Sequence, residues 1–137
     1  MATFNKFNQF VSDVAQKVHN LNSDVLKIML TDTAPVASNT VKSNISEISA
    51  SNGYTAGGGT AAFVSGNDTA GTYKLILSQV SWTASGGSIA QFRYAVLYNS
   101  TPVNGNLIGW WDYGTPLTIT NGNTFTVSLP NPIGTIV

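Results

Sequence analysis

The sequence predicts a mainly β protein: an antiparallel β-sandwich, jelly-roll-like, with an amphipathic α-helix at its N-terminus. Three observations lead there. Apolar residues recur at helical spacing over the first twenty or so positions, after which the period falls to two. The alternating runs are short and are separated by turn signals rich in Gly and Asn. No helical pattern lies between them, which points to an antiparallel sandwich or barrel, and the sandwich is preferred. At 137 residues the chain makes one domain, with the helix at 1–22 and the sandwich at 23–137.

The helix comes first. Phe4, Phe7, Val11, Val14, Val18 and Leu21 fall on one stripe, and Phe10 widens it. Thr3 is the expected N-cap, while Lys17 and His19 sit where a helix C-terminus favours positive character. The stripe either covers the chain's own sheet or docks its three Phe residues on another subunit. Packing in the same chain is the preferred reading.

Strands are expected at 25–31, 73–78, 91–99, 107–113, 117–120 and 124–129. In the first, Leu26, Ile28 and Leu30 share one face against Lys27 and Met29. In the third, Phe92, Tyr94, Val96 and Tyr98 alternate with Arg93, Ala95, Leu97 and Asn99. Turn signals stand at 65–68, 85–87, 104–106 and 121–123. Between the first two strands, residues 32–59 form an irregular connection with a weak helical turn at 44–50, where Ile45, Ile48 and Ala50 are the candidates to face inward. Long connections of this kind are usually functional or disordered, and an ordered loop that makes a contact is expected, a neighbouring subunit being one candidate.

Charge is the unusual quantity. Only 9% of residues are charged, against roughly 25% in an average domain, and six cations balance six anions. Ser, Thr and Asn supply 44 residues in their place. No basic surplus exists to displace counterions from nucleic acid, so direct nucleic-acid binding is not expected. No apolar stretch is long enough for a membrane helix, and no membrane partner or secretory leader is read. The chain has no Cys, hence no disulfide framework, thiolate nucleophile or zinc cluster.

Chemistry is sparse. His19 is the sole histidine, and its bland reading, a helix-end residue near solvent, outweighs that of a general base. The carboxylates Asp13, Asp24, Asp32, Glu47, Asp68 and Asp112 are dispersed, with no Asp-x-Asp metal loop and no sequence-local acid pair. Gly57-Gly58-Gly59 lacks the Lys and the strand-to-helix context of a phosphate loop, so a turn is preferred. No enzyme, metal or cofactor is predicted. The strongest constellation is Trp110-Trp111-Asp112-Tyr113. Alternation sends the two Trp rings to opposite faces, so at most one is core and the other is exposed or covered by a second layer. Stacking on a sugar is the functional reading, and core plus subunit contact the preferred one.

Two blocks of sequence carry a resemblance. One comprises Leu26-Lys27-Ile28-Met29-Leu30-Thr31, Ala34-Pro35-Val36-Ala37, Glu47-Ile48 and Gly53-Tyr54-Thr55-Ala56-Gly57-Gly58. The other comprises Phe92-Arg93-Tyr94-Ala95-Val96-Leu97-Tyr98-Asn99 and Leu107-Ile108-Gly109-Trp110-Trp111-Asp112-Tyr113-Gly114. Together, over residues 3–129, they resemble a group of small virion structural proteins of tailed bacteriophages. The resemblance implies a capsid cement or decoration protein on the outer surface of the head. It would bind the major capsid protein and self-associate as a dimer or trimer, and it brings no catalytic residue. Neck, tail or fibre-associated components and a virion carbohydrate-binding module are the alternatives. Expected contact residues are Phe4, Phe7, Phe10, Pro35, Val36, Tyr54, Trp110, Trp111 and Tyr113.

Overall fold

The computed structural model describes residues 3–127 and 135–136. In chain order the elements are β1 (Thr3–Lys6), α1 (Asn8–Ala15), β2 (Leu26–Thr31), a single 3-10 turn (Lys42–Asn44), β3 (Gly59–Thr60) and β4 (Phe63–Thr69). They continue as β5 (Thr72–Leu77), β6 (Val80–Thr83), β7 (Phe92–Asn99), β8 (Leu107–Leu117), β9 (Thr124–Val127) and β10 (Thr135–Ile136). The protein is mainly β, with antiparallel sheets and, among the described residues, one short α-helix.

A five-stranded sheet in the order β1-β8-β7-β2-β3 forms the centre; β10-β5-β4 and the ribbon β6-β9 complete the set. One face of the central sheet presents Leu26, Ile28, Leu30, Ala95, Leu97, Ile108 and Trp111 to a single large core. Leu75, Leu77, Val80, Trp82 and Val127 from the two smaller sheets fill its other side. Each such side chain, fully buried, contributes roughly 1.5–3 kcal/mol relative to exposure.

The opposite face of the central sheet is also covered. Phe7, Met29, Val96, Tyr98 and Leu107 form a second cluster, with Ile45 and Trp110 packed against it. This explains why β2 and β7 read as near-continuous apolar runs, Ile28-Met29-Leu30 and Ala95-Val96-Leu97-Tyr98: strands buried on both faces have no polar side to show. The cover comes from Phe7 and, supplying Ile45, from the 32–59 connection. Its backbone is bonded to the rim of the sheet through Lys42 N to Gly105 O (2.8 Å), Leu107 N to Thr40 O (3.0 Å) and Ile48 N to Leu30 O (3.1 Å).

The N-terminal helix is shorter than its sequence pattern. Residues 3–6 form β1 instead, with Phe4 opposite Trp111 and Asn5 opposite Trp110. Pairing with the long β8 outcompetes the local helical period, and Thr3 opens a strand rather than capping a helix. Gly109 makes the close approach possible, since the Phe4 ring occupies the space a Cβ there would need. The three-residue spacing of Phe4 and Phe7 thus serves two faces of one sheet, Phe4 beside the main core and Phe7 in the second cluster. The helix starts after Phe7, which is extended and makes no side-chain cap. It ends in a Schellman arrangement, with Lys17 left-handed at φ +64°, Val18 N on Asp13 O and Lys17 N on Val14 O. Lys17 and His19 therefore lie beyond the helix.

Three other expectations change. The Ser-Gly-Asn-Asp stretch at 65–68 is not a turn but the exposed middle of β4, and the hairpin turns at Ala70-Gly71, both at positive φ. No separate strand forms at 117–120, because β8 runs on to Leu117. The turn expected at 44–50 reduces to Lys42–Asn44; Ile45 and Ile48 do face inward, whereas Ala50, beyond the turn, is exposed. The end of the strand expected at 124–129 lies outside the described residues beyond Val127.

Candidate functional site

Most residues singled out from the sequence are used inside the chain. Phe7, Phe10, Tyr54 and Trp111 are at most 4% exposed, and Pro35 is buried. Phe4, Trp110 and Tyr113 are half-buried. The Phe4 ring lies 5.0 Å from Trp111, Phe7 lies 4.5 Å from Trp110, and Tyr113 meets Phe125 edge-on at 5.2 Å. Trp111 belongs to the core and Trp110 to the second layer, as the alternation required. Of the nine, Val36 is the one presented openly, at 56% exposure. The buried aromatics cannot reach a partner without opening the fold, because their area already packs the two faces of the central sheet.

The 32–59 connection is ordered by a hydrogen-bond staple. Tyr54 Oη donates to Glu47 Oε2 at 2.6 Å, and the Gly57 amide donates to the same oxygen at 2.7 Å. The buried amide of Leu30 donates to Tyr54 Oη at 3.0 Å, and Tyr98 Oη donates to Gly57 O at 2.6 Å. Burial and the neighbouring Glu47 carboxylate push the Tyr54 hydroxyl well above its ordinary value, and burial pushes Tyr98 up to about 12. Both phenols stay protonated and act as donors. The triple glycine is part of this staple: Gly58 has φ +78°, and a Cβ on it would collide with the Ile28 carbonyl.

A second polar cluster lies where α1 meets the β7–β8 hairpin. Asp13, 3% exposed, accepts from Gln9 and Asn106 at 3.0 Å each. Asn99, fully buried, donates to Asp24 at 2.6 Å and stands 3.0 Å from His19 Nδ1. His19 is 7% exposed, so the expectation of a solvent-side position is corrected. Burial lowers its affinity for a proton, while Asp13 and Asp24 act in the opposite sense. No hydroxyl nucleophile bonds to it among the described residues, and no group of carboxylates and His there could hold a metal ion. Sequence spacing could not have found this cluster, because Asn99 and His19 are 80 positions apart.

The outer surface is dominated by neutral polar groups. On the outward side of β6 and β9, Ser81 pairs with Thr126 and Thr83 with Thr124, hydroxyl to hydroxyl at 2.7 Å. The Arg93 guanidinium grips Asp112 through two nitrogens, at 2.9 and 3.1 Å, over the Tyr94 ring. That pair holds the Asp112 carboxyl below its usual range, helped by the Gly114 amide. Among the described residues the exposed large hydrophobics are Val11, Val25, Val36, Val64 and Val103, with Phe63 on β4. No helix among the described residues is long and apolar enough to cross a membrane. Comparison of the chain with protein-family models, with curated proteins and with solved structures finds no match in any of the three.

Proposed function

We propose that this chain is a structural virion protein of a tailed bacteriophage, a capsid cement protein that binds the outer face of the head and bridges major capsid subunits. The observation that carries this reading is the character of the surface. Of the twelve charged side chains Asp13 is buried, so eleven are spread over 6742 Å², and hydroxyls, amides and exposed valines fill the space between them. Such a surface hydrogen-bonds to near-neutral neighbours without the desolvation cost of bringing charges together. It also lets copies of the protein crowd side by side with little repulsion.

The rigid, doubly covered sheet supports the same reading. A cement protein adds weak contacts at many symmetry-related positions, and simultaneous engagement turns them into tight retention. Retention needs a scaffold that does not yield at each contact, and here the longest loop is tied down by the Glu47 staple. Val36, within that loop, and the Ser81/Thr83/Thr124/Thr126 face are the surfaces assigned to contact. Self-association as a dimer or trimer would match local capsid axes.

The test is addition of purified protein to heads assembled without it, with occupancy read from a particle reconstruction and stability from heat release of the genome. Saturable occupancy at symmetry-related head sites with raised heat resistance is expected. Density at the neck, tail or fibres instead would replace the cement role by the corresponding component.

A further inference from the structure

We propose that residues 8–24 form an acid-sensitive latch, in which protonation of His19 releases the helix and its following turn from the β7–β8 hairpin while the sheets stay folded. The inference rests on how the amides are fixed. Asn99 Oδ1 accepts the Thr101 amide at 3.0 Å, and Asn99 Nδ2 donates to Asp24 Oδ2 at 2.6 Å. These two bonds orient the Asn99 side chain, so the group facing His19 Nδ1 at 3.0 Å is an N–H donor. His19 Nδ1 must then accept, and the ring carries its single proton on Nε2. Nε2 has no hydrogen-bond partner and stands 3.8 Å from Asp13 Oδ2.

A second proton has nowhere good to go. It must sit on Nδ1, where it meets the Asn99 donor head-on. Turning the Asn99 amide over to accept it would set Oδ1 against the Asp24 carboxylate and abandon the Thr101 amide. The cluster therefore closes on neutral His19 and opens when the ring is charged. The groups facing His19 are few: Asp13 from α1, Asp24 and Lys17 from its own segment, Tyr73 from β5 across a shared cavity of about 420 Å³, and the Phe10 ring at 5.2 Å. The hairpin contributes only the amides of Asn99 and Asn106. The cavity, also lined by Val14, Asn20, Leu21 and Asn22, gives the released turn room to move and water a way in.

The sign follows from linkage. Burial holds the folded ring below its ordinary value of 6.5. The closed latch is fully favoured above that value and weakens as pH falls through it, until the folded ring itself protonates. In that window the opening equilibrium constant rises about tenfold per pH unit.

Native-state hydrogen exchange of the full chain between about pH 7.5 and about pH 5, corrected for intrinsic rates, reads this directly. The amides of Val18 and Asp24, bonded to Asp13 O and Asn20 O, are the reporters, and ladder amides of β2 and β7 are the reference. Opening at the reporters is expected to grow by about a decade per unit below pH 6.5, with the reference unchanged. In His19→Gln the dependence should vanish. Nitrogen NMR of the ring supplies the check that needs no variant: an Nε2–H tautomer titrating below 6.5 is expected. Reporters flat with pH, a dependence that persists in His19→Gln, or an Nδ1–H tautomer titrating at or above the ordinary value would each overturn the latch.

Discussion

Glu47 and Tyr54 lock the long connection onto the sheet: the tyrosine hydroxyl donates to Glu47 Oε2 at 2.6 Å while itself accepting the Leu30 amide at 3.0 Å. The phenol thus ties loop backbone, through Glu47, to Leu30 near the end of a doubly buried strand. Removing it leaves a buried strand amide and a half-buried carboxylate short of a partner each. Tyr54→Phe should cost about 1–3 kcal/mol, the range for orphaning a buried polar group. Urea unfolding monitored by Trp fluorescence checks it, and a loss under half of one kcal/mol would remove the staple from the stability of the fold.

Gly58 is the backbone counterpart of that staple. Gly58→Ala puts a methyl on the Ile28 carbonyl and demands a left-handed alanine at φ +78°. The strain alone costs on the order of 1–3 kcal/mol before the collision is counted. The variant should be more damaged than Gly122→Ala, which has φ +88° but nothing near the added methyl. Thermal melts of the two variants make the comparison.

The two adjacent tryptophans should separate in the same way. Trp111 is 2% exposed in the main core, and Trp111→Ala should cost about 3–5 kcal/mol by the usual cavity penalty. Trp110 is half-buried over Phe7, so Trp110→Ala should cost clearly less, with the fold retained. Equal losses would contradict the two-layer arrangement around β8.

Tyr98 and Tyr113 give a pH prediction at the alkaline end. Burial raises both to about 12 from an ordinary value of 10.0. A raised acid favours its neutral form in the fold, so their contribution is intact below pH 10.0 and is lost as pH rises towards 12. Absorbance titration of phenolate should show these two ionising late and together with unfolding. Their titration near the ordinary value with the protein still folded would contradict their burial.

Much of the sheet was legible because β2, β5, β7 and β8 carry apolar runs flanked by Gly and Asn turns. Alternation on β8 also placed Trp110 and Trp111 on opposite faces. The sequence pattern overextends the helix because Phe4 and Phe7 satisfy two patterns at once, a helical stripe and a strand-plus-turn that serves both faces of a sheet. Only β8, more than a hundred positions away, decides between them. The β4 strand is not legible in the sequence because an exposed edge strand needs no apolar face, and Ser65-Gly66-Asn67-Asp68 has the composition of a turn. Seven of the nine expected contact residues are aromatic, yet aromatic rings are what a doubly covered sheet consumes. The actual surface, hydroxyl pairs and exposed valines, has no motif to announce it. The charge count was the one sequence feature that described it.

Binding of the purified protein to heads assembled without it, measured across a salt series, bears most directly on the cement proposal. A neutral contact surface has few ion pairs to screen, so saturable binding with nearly unchanged affinity between about 0.05 and about 0.5 M salt is expected. No saturable binding, or an affinity that collapses with salt as a charge-driven contact would, contradicts it.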